Sequence, residues 1–527
     1  MNLRTPQPCA VAAAALLCLA AAGCTDLTTE PKSTVTSANI FNDLNSYRAL
    51  LAKLYAGLAV TGQRGQFGQP DISFPDEGFT QYVRLLWEME ELPTDEAVIA
   101  WGGDQGLTEL NTQSWGPNNE FPQMMYYRIF FQVPIANEFL RQTTDAVLAS
   151  RGVGAVLKDT IKTYRAEARF LRALSYWHGV DLFGNIPLLT EADPVGATPP
   201  KQATRTQIYD FIVSELNAIK PDLPHAGVPS SYGRATAPAA DMLLAELYLN
   251  AGVYTGTPHW AEALNAAQAV ITSGFYSLDP NYQRMFRADN NTSPEIVFAV
   301  TQDGLRTQGY GCVTFLVHAA VGDGASRYGI AGGWYGLRLK PEAAAFYPTG
   351  DTRNSYFDST GRTPAVSVMT NWGQGILGPK YQNVTSTGQP GSNDNFVDTD
   401  YPMFRLAEAY LTYAEAVLRG GGGSKTQALT YVNALRERAY GNTSGDLADT
   451  TALTLDFVLA ERGRELLWEG HRRTDLIRFD RFTGDTYLFG WKGATQFGTA
   501  TDVKYSLYPL PATEIVANPN LKQNPGY

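Results

Sequence analysis

The chain has 527 residues, enough for a large core and more than one sub-domain. Its 41 Lys+Arg against 52 Asp+Glu give a formal net charge of -11. Setting aside the first 23 residues, which carry the single charge Arg4, takes this to about -12. An acidic balance of this size argues against nucleic acid and against an anionic membrane face as partners.

The first two dozen residues read as an export signal. Arg4 is followed by an apolar run, Val11 to Ala22, and then by Ala21-Ala22-Gly23-Cys24. A positive start, a short apolar middle and small residues before the cut describe a secretory signal peptide. The run is too short for a permanent membrane helix, and no later run approaches the roughly 20 residues that one needs. A cysteine directly after the small residues resembles a bacterial lipobox, in which the thiol is lipidated and becomes the mature N-terminus. Ala21 stands where leucine is usual. The alternative is ordinary secretion with Cys24 incidental. Residues 1–23 are therefore expected as signal peptide, Cys24 as the lipidation site, and 24–38, polar and without periodicity, as a tether. Membrane contact is then expected through the N-terminal lipid only. Cys9 and Cys18 leave with the signal and Cys312 remains alone, so no intrachain disulfide is available. Cys312 reads as a small buried residue, since no Cys-His signature of a catalytic thiol surrounds it.

From residue 39 onward the pattern is that of one globular body. Asn39, Asn42 and Asp43 are candidate caps for a helix whose apolar stripe is Leu50, Leu51, Leu54, Tyr55 and Leu58. A second helix runs from about Thr160 to His178. Its apolar arc holds Tyr164, Ala168, Phe170, Leu171, Leu174 and Trp177, and Glu167 falls inside that arc, where a carboxylate needs a partner. Two later segments repeat one helix pair. Leu244 to Gly252 is followed by Trp260 to Ala267, and Tyr413 to Gly420 by Thr426 to Asn433. Each has Ala-Glu near the end of its first helix, a glycine stop, and Ala-Leu early in the second. Small residues at contact positions allow the close approach of tetratricopeptide-like packing. Residues 61–120 and 302–400, rich in Gly, Asn, Asp, Thr and aromatics, read as long functional loops. Ile296–Val300 and Tyr505–Leu510 read as isolated strands.

The segment Leu455 to Glu469 is apolar nearly all round, as a buried helix is, yet carries Glu461, Arg462, Arg464, Glu465 and Glu469. Arg472, Arg473, Asp475 and Arg478 follow the stop at Gly470. Buried charges must pair, so Glu461, Arg462, Glu465, Glu469, Arg472, Asp475 and Arg478 are expected to form an architectural salt-bridge network that also serves Glu167. The rival is an active site with paired glutamates, although carboxylates among so many arginines stay ionised and suit a general acid poorly. In the helix from Arg405 to Arg419, Glu408, Thr412, Glu415 and Arg419 share a stripe suited to a surface or an inter-helix face.

Familiar catalytic spacing is missing. The histidines at 178, 225, 259, 318 and 471 form no metal motif, and no cofactor or metal is expected. Gly420 to Gly423 lacks Walker spacing and reads as a linker. Acidic clusters at Asp76-Glu77, Glu88 to Glu91 and Asp95-Glu96 read as solvated loops, with calcium the alternative.

Four motifs together resemble the SusD/RagB family. They are Ala166-Glu-Ala-Arg-Phe-Leu-Arg-Ala-Leu-Ser-Tyr-Trp running on to Asp181-Leu-Phe-Gly-Asn-Ile-Pro-Leu, then Phe404 to Ala416, then Glu461 to Phe479, and the ending Leu507 to Tyr527. The resemblance implies an outer-membrane lipoprotein that captures oligosaccharides, or peptides as some relatives do. It would deliver them to a SusC-like TonB-dependent transporter without catalysis. With the repeats, it implies a mostly α fold: tetratricopeptide-like helix pairs in a right-handed scaffold, with long irregular loops and few short strands. Its N-terminal half spans about 39–225 and its C-terminal half about 275–527. Aromatic rings stack on the C–H face of sugars, and family members form the ligand face from early and mid-chain loops. Trp101, Trp115, Tyr310, Trp334, Tyr335 and Trp372 are therefore the candidate ligand-binding residues, Trp87 being a further loop ring. Two other classes remain open: an all-helical glycoside hydrolase, which needs two carboxylates facing a groove, and a helical-repeat scaffold with protein partners only.

Overall fold

The computed structural model describes residues 41, 43–63, 70–73, 76–104, 106–196 and 198–527. The segments expected as signal peptide (1–23) and tether (24–38), with Cys24, lie outside them. Tyr47–Tyr527 make up one compact unit. Helix α1 (Leu44–Ala59) buries Tyr47, Leu51, Leu54 and Leu58. It is followed by α2 (Tyr82–Glu91), β1 (Ala97–Ile99), α3 (Leu107–Thr112), α4 (Glu120–Gln142), α5 (Asp145–Ser150) and α6 (Ala155–Phe183). Next come α7 (Arg205–Ile219), α8 (Ala237–Leu249), α9 (Ala251–Thr255) and α10 (Trp260–Ile271). A less regular stretch holds β2 (Ile296–Val300), α11 (Cys312–Ala319), β3 (Leu337–Leu339) and α12 (Pro341–Ala345). The chain ends through β4 (Tyr401–Arg405), α13 (Leu406–Leu418), α14 (Lys425–Tyr440), α15 (Leu455–Glu465), α16 (Arg472–Arg478) and α17 (Ala512–Ala517).

Helix on helix is the dominant layer. α4 packs on α6, α6 on α7, α7 on α8, α8 on α10, α10 on α13 and α13 on α14. Alanines make these approaches close: Ala239, Ala240, Ala245, Ala263, Ala267, Ala407, Ala409, Ala414 and Ala428 are all fully buried. Capping side chains fix where the helices begin. Thr204 and Gln207 close a capping box on α7, and Thr236, Ser424 and Thr454 cap α8, α14 and α15. The two repeated pairs of the sequence are α8/α10 and α13/α14, brought side by side although about 130 residues separate α10 from α13. The described strands make two antiparallel pairs, β1–β3 and β2–β4.

The structure departs from the sequence reading in several places. Residues 61–120 are not one long loop, because α2, β1 and α3 lie within them, and 302–400 hold α11, β3 and α12. Glu88 to Glu91, Asp95 and Glu96 are buried and not solvated. Glu90, Asp95 and Glu96 sit opposite arginines of α16: Arg472 reaches Asp95 at 2.7 Å and Glu96 at 3.6 Å, and Arg473 reaches Glu90 at 3.1 Å and Asp181 at 2.7 Å. Tyr505–Leu510 is no strand; a 3-10 turn at Val503–Ser506 takes its start. Helix α15 stops at Glu465, short of Gly470. Trp468 turns left-handed (φ +61°), and tertiary bonds hold it: its N–H donates to Glu96 (3.1 Å), and its carbonyl accepts from the Trp87 indole (3.0 Å). The shared stripe of α13 is an inter-helix face, with Glu408, Thr412 and Glu415 fully buried.

The expected charge network is present but divided. In one cluster Glu465 meets Arg353 (2.8 Å), Arg405 (2.6 Å) and Arg438. Glu469 meets Arg405 (2.6 Å) and Lys380 (2.7 Å), and Glu461 meets Arg353 (2.8 Å), Arg436 (3.0 Å) and Arg464 (2.7 Å). Burial raises the Glu461 carboxyl, but the three arginines outweigh burial and hold it down at about 2. Arg462, Asp475 and Arg478 form a second cluster with Glu415 (2.6–2.7 Å for the close pairs). Arg472 belongs to the Asp95 pair. Glu167 is outside all of these: it accepts from Nε and Nη2 of Arg234 and from the hydroxyl of Tyr55 (2.6 Å), partners that no spacing on its own helix announces.

Arg405 is the cation shared by Glu295, Glu465 and Glu469. Its replacement by alanine takes one cation from each of three buried carboxylates, leaving Arg353, Arg438 and Lys380 to serve them, and is expected to destabilise the fold by about 3–5 kcal/mol, read from denaturant unfolding. A loss under about 1 kcal/mol would show that the cluster is not structural.

Candidate functional site

Strands β1 and β3 pair with Ala97 opposite Leu339, Val98 opposite Arg338 and Ile99 opposite Leu337. An antiparallel register brings the residues leaving β1 beside those entering β3. The Ala100 N–H donates to Gly336 O (2.9 Å), and the Trp101 indole N–H to Trp334 O (3.1 Å). Gly336 has no alternative here, since a Cβ would lie 2.6 Å from the Trp101 ring. The Trp101 and Trp334 rings stand 6.4 Å apart with planes at 43°, and Tyr310 meets Trp334 edge-on at 5.9 Å and 65°.

A second layer supports these rings. Phe315 of α11 meets Trp101 edge-on at 5.9 Å. The His318 ring stacks on Trp334 at 4.7 Å, covering one of its faces. Burial lowers the His318 pKa, so the ring is neutral and its Nδ1–H donates to Gly332 O (2.6 Å). Arg84 of α2 lies 4.0 Å over Phe79, 4.3 Å over Phe315 and 5.7 Å over Trp101. It donates to Tyr310 O (3.2 Å) and to Glu88 (3.0 Å). Rings, Arg84, Asp76 and Asp104 surround one open cavity with about 900 Å³ of empty space, open solvent included. Burial raises the Asp104 carboxyl against the pull of Arg84. Such a surface offers ring faces for stacking beside a cation and two acids for polar groups.

Trp101, Tyr310, Trp334 and Tyr335 line this cavity together. Trp372 adjoins them, meeting Tyr335 edge-on at 5.5 Å. Trp115 does not join them. It is 1% exposed, lies 4.4 Å from the Tyr508 ring and donates to the Tyr527 hydroxyl at 2.8 Å, pinning the chain end. Trp87 is fully buried in α2. Cys312 is buried too, and burial drives its thiol pKa up. His178, also buried, bonds Tyr82 at 2.8 Å and stays neutral, its pKa pushed down to about 3 by burial. Sequence reasoning missed Arg84, Asp104, Phe315 and His318. The one available signal for Arg84 is a cation in the largely apolar run Tyr82–Trp87, and for Asp104 its place three residues after Trp101.

Residues 327–527 match the model of the SusD family. The chain is 36% identical to the starch-binding protein SusD of Bacteroides thetaiotaomicron, covering 91% of this chain and 92% of that protein. It is 26% identical to SusD-like protein P2 of Formosa agariphila, covering 97% and 98%. This chain belongs to the SusD family. Two solved structures share its fold. Surface glycan-binding protein A of B. thetaiotaomicron, in complex with laminarihexaose, aligns with a TM-score of 0.69 at 20% identity over 91% of this chain and 99% of that one. A SusD-like carbohydrate-binding protein of Bacteroides fragilis gives 0.73 at 19% identity, again over 91% and 99%. The expected family and the mostly α fold with few short strands are therefore shown. Three of these four proteins are named for binding: starch, glycan and carbohydrate. Among the described residues no helix is long and apolar enough to cross a membrane.

One group among the described residues has the makings of a metal site. Glu246, Glu408 and His471 are buried, with candidate ligand atoms within 4.8 Å of one another. Arg462 already brings positive charge to 3.8 Å from Glu246. Burial, then the neighbouring Glu246, raises the Glu408 carboxyl well above the usual range, so Glu408 keeps a proton and shares it with Glu246. Two further buried acids behave alike. Burial outweighs Arg84 at Glu88 and outweighs donors from Glu96, Gly470 and His471 at Glu91, and both are pushed up to about 7. Each holds a proton in the folded state that the unfolded chain releases above about pH 4.3. Their stabilising contribution is complete below that value and is lost as pH rises through about 7, at about 1.4 kcal/mol per pH unit for each group still protonated. Above about pH 6.5, where the neutral buried His178 and His318 no longer add stability with rising pH, the thermal midpoint is expected to fall toward about pH 8, and Glu408→Gln, which mimics the protonated acid, to flatten part of that fall. A midpoint rising over this range would contradict the assignment.

Proposed function

We propose that this protein is a cell-surface lipoprotein that binds an oligosaccharide of the α-glucan type on the Trp101–Tyr310–Trp334 platform. It passes that cargo uncut to a SusC-like TonB-dependent transporter. The observation that carries the reading is the arrangement of the three rings, canted by 43° and 65° around one cavity. Rings so inclined suit a bent sugar chain, which turns a new face to each ring, better than a flat ribbon. The 36% identity to a protein named for binding starch supports the same ligand class. Arg84, Asp76 and Asp104 supply donors and acceptors for hydroxyls at the edge of the platform.

The anchor rests on the lipobox-like Cys24, and the transporter on the family resemblance. No nucleic-acid partner fits a net charge of -11.

Removing one stacking ring costs roughly 1 kcal/mol or more. Calorimetric titration with maltooctaose is therefore expected to show affinity about fivefold or more weaker for Trp101→Ala and for Trp334→Ala. Unchanged affinity would take the ring out of the site. A reducing-sugar assay on starch is expected to stay flat. Reproducible turnover abolished by Asp104→Asn would make the protein a hydrolase instead. In cells, a clickable palmitate analogue is expected to label the wild type and not Cys24→Ala. Absence of label on the wild type would refute the anchor.

A further inference from the structure

Beside the platform, β3 contains a cation that is buried without a counter-ion. Arg338 is fully buried, and among the described residues no carboxylate pairs with it. Burial pushes its guanidinium pKa down to about 10. Its donors go instead to backbone carbonyls of one surface loop: Asn371 (2.5 Å), Gln374 (2.9 Å) and Met369. Withdrawing a guanidinium from water for carbonyls alone is costly, and helix packing does not require it.

The same loop is tied down from other sides. Arg362 donates to Gly375 O (2.9 Å) and to the carbonyl of Trp372, and the Gln374 side chain accepts from the N–H groups of Ser367 (2.9 Å) and Val368 (2.7 Å). The Trp491 indole N–H donates to Val366 O (2.9 Å). Thr370 packs so tightly against Gly102, the neighbour of Trp101, that a Cβ there would lie 2.5 Å from its methyl. The fixed loop therefore abuts the ring platform.

What the loop delivers is Trp372. The Arg362 guanidinium lies over this ring at 4.8 Å, and the ring meets Tyr335 edge-on at 5.5 Å. Tyr335 is 41% exposed, and its hydroxyl donates to Asp323 (2.7 Å). Its backbone is left-handed, φ +55°, a conformation that strains a residue with a side chain. Bonds from Tyr335 N to Val321 O (3.0 Å) and from Gly336 N to Ala319 O (2.9 Å) impose that turn. An extended backbone would send Trp334 and Tyr335 to opposite sides. The turn lets both line the same cavity. A strained turn and an uncompensated buried cation thus converge on two aromatic rings at the rim.

We infer that Tyr335 and Trp372 form an outer subsite, continuous with the platform through Tyr335, that takes further sugar units of a long glucan. The inference rests on the glycan-binding reading of the platform and adds to it a selection for chain length. Short oligosaccharides fill the Trp101–Tyr310–Trp334 rings alone. Longer ones also reach the rim, where Trp372 stacks a sugar and Asp323 and Arg362 stand near for hydroxyls. Pre-ordering of the loop removes the entropy that a mobile tryptophan would lose on binding.

Calorimetry on the full-length protein in detergent with maltotriose and with maltooctaose tests this. Trp372→Ala is expected to weaken maltooctaose binding by about 3–10-fold while changing maltotriose by less than about twofold. Trp372→Phe is expected to restore most of the loss, and the thermal midpoint of each variant checks that the body is intact. Trp334→Ala is expected to weaken both ligands. Equal losses on both ligands for Trp372→Ala, or no loss on either, would overturn the outer subsite while leaving the platform standing. A wild type that binds neither glucan, or a Trp334→Ala variant that binds both normally, would overturn the platform reading and the subsite with it.

Discussion

Where the rings stand is decided by the register of a three-residue strand pair. Ile99 faces Leu337, and just beyond that pair Trp101 and Trp334 are held by an indole-to-carbonyl bond, although they lie 233 positions apart in the chain. Side chains alternate along a strand, so a slip of one residue would turn every ring to the other side. Three paired residues do not hold such a register unaided. It is secured from below. Lys340 donates to Thr94 O at 2.6 Å, Arg338 fixes the following loop, and Arg472 grips Asp95 at the entrance to β1.

That support reaches the strand pair from the charged clusters of the C-terminal third. The turn between α15 and α16 is the junction: Trp468 and Gly470 bond Glu96 and Glu91, while Glu469 runs back to Arg405 and Lys380. Arginine suits this role because one planar fork serves two or three carboxylates at once. Among the described residues the only cysteine is the free, buried Cys312, so these clusters and the alanine-lined helix contacts hold the body together without a cross-link among those residues. A buried carboxylate with several cations ionises, as at Glu461, and one left with few keeps its proton, as at Glu408.

Period and composition made the helical body legible. Alanine spacing announced α8/α10 and α13/α14, and the charged residues inside the apolar Leu455–Glu469 segment announced a buried network. The partners of that network were not legible, because Arg353, Arg405 and Arg438 lie far away in sequence and are chosen by tertiary packing. For the same reason Glu167 found Arg234. Three- to ten-residue elements in 61–120 and 302–400 escaped detection because glycine, asparagine and aromatics within them follow no clear period, and tertiary bonds set their ends. Trp115 shows the limit of composition: a tryptophan in a Gly- and Asn-rich stretch looks exposed, yet its indole closes on Tyr527. Arg84 and His318 were invisible for the opposite reason, each being a support whose value lies in the ring it touches.

A crystal structure of the protein soaked with maltooctaose bears most directly on the ring platform as the place of ligand capture. The expected result is sugar rings against the open faces of Trp101 and Trp334 and beside Tyr310, with hydroxyls at Arg84 or Asp104. Sugar seated elsewhere on the body, with these rings bare, would contradict it.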